Sequence, residues 1–359
     1  MTTTTAGITN SLTTGRLPKG TPWIILGASW AVLLVAFAFV QAAEPGSDYN
    51  VAAAIFLGTL LFDALLFVIT LLVEGSRQAR DRLITALVAT AFIIALLPLI
   101  SLLFTVVSNG LARFDLTFFT NSMRNVVGEG GGGLHAITGT LLITGMATLI
   151  SVPVGLLTSI YLVEYGRGPL AKAITFFVDV MTGIPSIVAG LFAFALFSLL
   201  FDDPGIRFGF GGSIALSLLM IPVVVRSSEE MLKIVPNELR EAAYALGVPK
   251  WLTILKVVIP TALAGIATGV TLAISRVIGE TAPLLLIAGL GTSMNYDLFA
   301  NRMASLPVFV YTQYQNPGTD VQAYLDRAWA GALTLILIVM ALNLIARLIA
   351  RIFSPKLGR

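Results

Sequence analysis

Eight stretches of the chain are continuous apolar runs of about 18 residues or more, the length a helix needs to cross the hydrocarbon layer of a membrane. They are 23–40, 51–73, 83–107, 137–163, 173–200, 213–231, 260–290 and 329–349. Pro222 and Pro283 interrupt the sixth and seventh and blur their edges. Three polar connections are long enough to hold structure of their own. The segment 108–136 contains the run GEGGGGLHA, and 291–328 contains an apolar stretch, 298–311, expected to be a short helix lying at the membrane surface. The third, 232–259, carries its own helix signals.

Composition agrees with lipid as the main solvent. The 359 residues are 57% hydrophobic and 11% charged, less than half the charge of an ordinary soluble domain, and the mean hydropathy is +0.91. No cysteine is present, which removes disulfides and thiolate metal sites, and the single histidine, His135, excludes a site built on several imidazoles. The formal net charge of +3 is small, and nothing points to nucleic acid. Residues 1–22 are Thr-rich and polar, without the apolar core of a removable signal peptide, and read as a flexible cytoplasmic tail.

The placement of charge orients the spans. With the N-terminus inside, 16 of the 22 lysines and arginines fall in cytoplasmic segments and five in outer ones, and Arg276 lies within a span. That bias follows the positive-inside rule and predicts an even number of spans with both termini cytoplasmic.

The glycine run at 130–133 lacks the Lys and Ser or Thr that must follow a phosphate-binding loop, so it reads as a flexible turn at a helix entrance. If ATP drives this protein, a partner binds it. His135, beside that turn, reads as a polar anchor at the membrane interface.

The connection 232–259 reads KIVPNELREAAYALGVPKWLTILKVVIP from Lys233. Pro236 suits a first helical turn, Gly247 suits the positive φ that ends a helix, and Pro249 suits the opening of another. The expected outcome is two short helices with a sharp turn at Gly247. Leu239, Ala242, Ala243 and Leu246 form one apolar face, suited to a groove of another protein or to lipid headgroups.

Ionisable groups inside a span are functional candidates, because they are costly unless paired or wetted. In the seventh run, Gly265, Gly269, Ala273, Arg276, Glu280 and Pro283 share a sector of roughly 80° on a continuous helix. A small-residue seam that becomes charged would fit a helix lining a pore between packed subunits. In the fifth run Asp179, Gly183, Ser186 and Gly190 share a sector of roughly 60°, with Pro185 breaking the ladder nearby. That face reads equally as pore lining or as simple close packing. Asp63, in the second run, reads as a contact with a partner subunit or as a paired polar residue.

Several of these strings resemble a known family. Glu241-Ala242-Ala243, then Gly247, then Val257-Val258-Ile259-Pro260 resemble the EAA loop of ABC importer permeases, with Val and Ile in place of the usual residues before the proline. LVEYGRG at 162–168, GIPSIVAGLF at 183–192, PVVVRSSEEMLKIVP at 222–236, LREAAYALGVPKW at 239–251 and SRVIGETAPLL at 275–285 resemble the PstA-type permeases of phosphate importers. The resemblance covers the chain from about residue 130 onward. It implies an all-α type I importer transmembrane domain with about eight spans: a tail at 1–22, two additional helices and a basic loop at 23–82, and a permease core at 83–359. It implies no cofactor and no catalytic residue of its own. The implied partners are a homologous second permease (PstC-like), an ATPase dimer (PstB-like) and an extracytoplasmic phosphate-binding protein (PstS-like). Inorganic phosphate would be the cargo, and membrane lipid the surroundings.

The resemblance also implies that the 232–259 loop couples to the ATPase through Glu241, Ala242, Ala243 and Gly247. Arg276, Glu280, Ser186 and Gly183 become the expected substrate pathway. Arg276 would bind phosphate oxygens through its planar fork. Glu280 would hold Arg276 by an ion pair or accept the proton that phosphate retains and sulfate lacks. A buried structural ion pair is the other reading of these two residues. The alternative functions are an ABC importer permease for another anion or small solute, and a self-sufficient transporter or channel. The docking loop argues against the last.

Overall fold

The computed structural model describes residues 17–43 and 50–353. Most of the tail expected at 1–22, and the last residues of the C-terminal tail, lie outside the described residues. All regular structure among the described residues is helical. Among the described residues seven helices are long and apolar enough to cross a membrane, or eight if one sharply bent pair counts as a single span. The chain divides into two compact units, 1–103 and 104–359.

The first unit holds α1 (Thr21–Ala43), α2 (Val51–Val73) and most of α3 (Ser76–Gly110). Asn50 starts α2 by accepting the Ala53 amide on its side chain at 2.9 Å, which satisfies one of the donors left open at a helix start. Ile25, Phe62, Leu66 and Ala86 form the unit's small core. Gly58 lets α1 approach closely, since a Cβ there would sit 2.8 Å from the Trp30 ring. The buried Glu74 carboxylate accepts from the Leu17 amide (2.6 Å) and from Arg82 (2.7 Å). Asp63 is also buried, near Thr90. Enclosure by its own unit corrects the reading of Asp63 as a partner-subunit contact. Trp23, Phe39, Phe92 and many aliphatic side chains stay exposed, as expected where lipid is the solvent.

The second unit begins at the end of α3. A single 3₁₀ turn (Leu111–Arg113) and the short α4 (Leu116–Thr120) lead to α5 (Leu134–Ile160), which continues as a π-helical turn at Tyr161–Tyr165. Then come α6 (Pro169–Thr182), α7 (Ser186–Phe201), α8 (Gly209–Ile234), α9 (Asn237–Ala245) and α10 (Lys250–Thr253). A second π-helical turn, Ile254–Val258, joins α10 to α11 (Ile259–Val277). The chain closes with α12 (Ala282–Ile287), α13 (Leu306–Gln315) and α14 (Val321–Phe353). The centre is α8 against α5. Gly155 faces Val224, and the Ser213 hydroxyl donates to the Ile143 carbonyl at 3.1 Å. Ile143, Leu216, Met220, Val224, Val277 and Leu284 form one core with them.

Several expectations need correction. The fifth apolar run is not one straight helix: α6 and α7 meet at 109° across Gly183–Pro185. Proline lacks an N–H and disfavours a helical residue before it, so the ladder cannot continue through Ile184–Pro185. The seventh run is likewise interrupted, because α11 stops at Val277 and α12 starts at Ala282. The stretch expected to lie on the membrane surface forms α13, with Leu306, Val308 and Phe309 buried inside the protein. His135 is buried edge-on to Phe309, their ring centres 5.5 Å apart, and is no interfacial anchor.

The glycine run is a clamped turn. Fully buried Arg327 donates to the carbonyls of Gly128 (2.8 Å) and Gly130 (3.0 Å) and to the Gln313 side chain (3.0 Å). Arg113 donates to the Gly131 carbonyl at 2.9 Å. The two guanidinium groups take the place of the regular ladder that these backbone carbonyls lack.

Candidate functional site: a broken-helix pathway and a docking loop

Two breaks in the second unit fall side by side. Gly190, in the second turn of α7, is pressed against Pro283 of α12, so that a Cβ at Gly190 would lie 2.5 Å from the Pro283 Cα. Further along, Ala193 and Phe197 of α7 share a core with Ile287 of α12. The two helices therefore run in the same direction with their starts adjacent. The start of α7 is Ser186, preceded by the exposed Gly183. The start of α12 is preceded by Glu280 and, one turn earlier, by Arg276. Of the expected pathway residues, Gly183 and Ser186 therefore precede and open one of these paired helix starts, and Arg276 and Glu280 precede the other. They lie at two chain breaks and not on two continuous helix faces. Asp179 falls on the other arm of the first break and Gly190 inside the α7–α12 seam.

Arg276 sits in the last turn of α11, about 24 Å along the helix from Pro260 at 1.5 Å per residue. It is exposed, in line with exposed Thr268 and Leu272. The glycines expected to share its face turn inward instead: Gly265 rests on Met231 and Gly269 on Ser227, both of α8. The seam is therefore intramolecular, and the charge lies beside it. Among the described residues Arg276 makes neither an ion pair nor a side-chain hydrogen bond, and Glu280 is half-buried beyond the helix end. The ion pair between them expected from helical spacing is absent, because the helix that would align them ends at Val277. An exposed guanidinium on a spanning helix is a functional candidate, because it is costly unless paired or wetted. Irregular backbone at the same level is tolerated where it lines a cavity or another protein.

A second charged group lies along α8. Arg226 pairs with Asp179 of α6 and with Glu229 (3.0 Å), and Glu229 also accepts from Lys233 (2.7 Å). The network ties the first arm of the broken span to α8. Arg226 lies inside α8, and its spacing of three to Glu229 and seven to Lys233 is the sequence signal for this network.

The docking loop is at the other end of α8. As expected, α9 is followed by a turn at Gly247, whose φ is +75°. A side chain with a Cβ resists that region. Ala243 is buried, whereas Leu239, Ala242 and Leu246 are exposed and Leu246 is 83% accessible. Tyr244 and Trp251 are exposed beside them. Glu241 is exposed on the same short helix. The second short helix does not stand apart: α10 runs through the π turn into α11 as one 28-residue apolar helix. Pro260 explains the π turn, since a residue without an N–H inside a continuous helix forces the ladder to shift.

One part-buried side chain holds this loop, and its role was not legible in the sequence. Arg240 donates to Glu164 through Nε (3.0 Å) and Nη2 (2.8 Å), to the Leu232 carbonyl (3.0 Å) and to the Val235 carbonyl (2.6 Å). Lys250 donates to the Glu164 carbonyl and lies over the Tyr165 ring, 4.7 Å from its centre. The end of α5, the end of α8 and both arms of the loop are thereby fastened at one point.

The second unit thus combines two interrupted apolar helices with a fastened loop that exposes an apolar face. The chain belongs to the family described as binding-protein-dependent transport system inner membrane component, which it matches over residues 151–359, and it is a multi-pass protein of the cell membrane. It is 47% identical to the phosphate transport system permease protein PstA 1 of Mycobacterium tuberculosis (strain CDC 1551 / Oshkosh) over 280 residues, covering 76% of this chain and 89% of the relative. It is 48% identical to the phosphate transport system permease protein PstA of Mycobacterium leprae over 275 residues, 75% of this chain and 88% of the relative. Among solved structures, a chain of a bacterial ABC transporter involved in the import of the acidic polysaccharide alginate superposes with a TM-score of 0.54 at 15% identity. That superposition covers 77% of this chain and 97% of the other, and it speaks for the fold alone.

Proposed function

We propose that the chain is the PstA-type permease subunit of an ATP-driven phosphate importer and forms half of the translocation pore. The observation that carries this is the 47% identity with a phosphate transport permease over 280 residues, 76% of this chain. The other half of the pore is a homologous PstC-like permease, facing the stripe that ends in Arg276. A PstB-like ATPase dimer receives α9 and the turn at Gly247. A PstS-like binding protein delivers phosphate at the opposite end, and lipid surrounds the assembly. Glu241, Ala242, Ala243 and Gly247 form the coupling element, and Gly183, Ser186, Arg276 and Glu280 line the path. The N-terminal start of α7, with its unpaired amides, adds a favourable partial charge for an anion beside Arg276. Both termini are cytoplasmic, and α1 and α2 are an addition to the permease core.

The test uses the absence of cysteine in the native sequence. Single cysteines are placed at Asp202, Asn316 and Leu246 of the affinity-tagged chain, and untagged partners are co-expressed. An impermeant thiol reagent added outside should label the first two positions and spare Leu246, and the tag should retrieve an ATPase and a second permease. External labelling at Leu246, or retrieval of the chain without an ATPase, contradicts the assignment.

A further inference from the structure

At the far end of α7, α8 and α12 from the docking loop lies an open cavity of about 400 Å³. Its walls are the connection from α7 to α8 and the connection from α12 to α13, and its polar lining is Arg207, Arg302, Asn301 and Asp203. The two arginine stems converge over Gly289, where a Cβ would lie 2.9 Å from the Arg207 Cδ and 3.4 Å from the Arg302 Cδ. Gly289 has φ +74°, so both the backbone and the space favour glycine there. The Arg207 Nε donates to the Leu286 carbonyl at 3.1 Å, which fixes the stem, and neither terminal nitrogen makes a hydrogen bond or ion pair among the described residues. Arg302 makes no side-chain hydrogen bond or ion pair among the described residues. Asp203 spends one carboxylate oxygen on the Gly205 amide (2.8 Å) and pairs with neither arginine.

We propose that this cavity is an oxyanion-holding site at the outer mouth of the pathway, and that its ligand is inorganic phosphate. Two planar guanidinium groups offer paired donors to a tetrahedral oxyanion. The Asn301 amide offers another donor, and the free Asp203 oxygen accepts from a protonated phosphate oxygen. The volume exceeds that of the bare ion several-fold and admits it with part of its water, at about 30 Å³ per molecule. Binding of that kind is weak and quickly reversed, which suits an entry site that must also release. The Arg207 stem is anchored on Leu286 in the last turn of α12, and Glu280 and Arg276 precede the first turn of that same helix, which is about 9 Å long at 1.5 Å per residue. The inference rests on the phosphate-importer reading for its ligand, but not on Arg276 being part of the path.

The experiment introduces Phe299→Trp as a fluorescent reporter, since Phe299 lines the cavity and stacks on Phe210 at 4.8 Å. The full chain, assembled with its partner subunits in lipid nanodiscs, is titrated with inorganic phosphate and separately with acetate. Phosphate should change the emission saturably, and acetate should change it at least tenfold less readily. Arg302→Gln and Arg207→Gln should each weaken the response about tenfold or more, as should Arg302→Lys, which keeps the charge but loses the fork. Arg276→Gln should leave the response intact even if it stops transport. No saturable response, an equal response to acetate, or full retention in Arg302→Gln overturns the site. An equal response to acetate would mark a socket for a partner's carboxylate instead.

Discussion

Arg276→Gln is expected to lower ATP-driven phosphate uptake by about 100-fold or more, the scale seen when a fixed donor is removed from a charged site shielded from water. The argument begins with cost. A guanidinium exposed on a spanning helix, without an acid partner in its own chain, is costly unless water, a partner or a ligand meets it, which makes Arg276 a functional candidate. Phosphate entering a low-dielectric pore must exchange water for fixed donors, and Arg276 lies in the last turn of α11, just before the break that leads into α12. Arg276→Lys is expected to fail as well, because an ammonium is a point charge and cannot bind two oxygens of one phosphate in a plane. Among the described residues Glu280 makes no ion pair with Arg276, and in the proposed pathway it accepts the proton that phosphate carries. Glu280→Gln should therefore let sulfate compete more effectively. Uptake into proteoliposomes, with size-exclusion chromatography of each assembled variant, decides the matter. Normal uptake by correctly assembled Arg276→Gln removes the residue from the pathway.

The second large effect concerns coupling. Gly247→Val is expected to cut uptake at least tenfold while the protein remains inserted, because a β-branched residue held at φ +75° costs roughly 1–3 kcal/mol and the loop escapes by changing its turn. Arg240→Ala should have a similar outcome from the other side of the loop. It strands Glu164, whose side chain is 6% accessible, and breaking such a buried pair costs about 3 kcal/mol or more. Glu241→Lys leaves the loop folded but places the wrong charge at the dock. The discriminating readout is ATPase stimulation by the membrane subunits together with retention of the ATPase on the tagged complex. If all three variants keep normal stimulation and uptake, the loop is not the coupling element.

The sequence was most legible where one residue dictates one conformation. Val51–Val73 was found with its exact ends, because an apolar run flanked by Asn50 and Glu74 has no other reading. Gly247 announced its turn through the pattern of helix formers before it and proline after it. The breaks were misread because helical-wheel reasoning assumes a helix that continues. Pro185 was noticed as a local disturbance, but its consequence, a 109° bend, depends on how α6 and α7 find separate packing partners. The same assumption aligned Arg276 with Glu280 across a helix end. Long-range pairs such as Glu164 with Arg240, 76 residues apart, and Arg327 with the glycine run, 197 to 199 residues apart, leave no periodic trace. A buried arginine looks the same in one sequence as an exposed one, and only the folded chain reveals the carbonyls it serves.

The central claim, that this chain is the pore-forming partner of a phosphate-importing ATPase, is tested most directly by reconstitution. The chain, its second permease and its ATPase are placed in proteoliposomes with the binding protein outside and ATP inside, and radiolabelled phosphate is followed. Accumulation against the gradient that needs hydrolysable ATP, needs this subunit and is not reproduced with sulfate is the predicted result. Phosphate accumulation that proceeds equally without this subunit, or ATP-driven transport of a different solute in preference to phosphate, would contradict it.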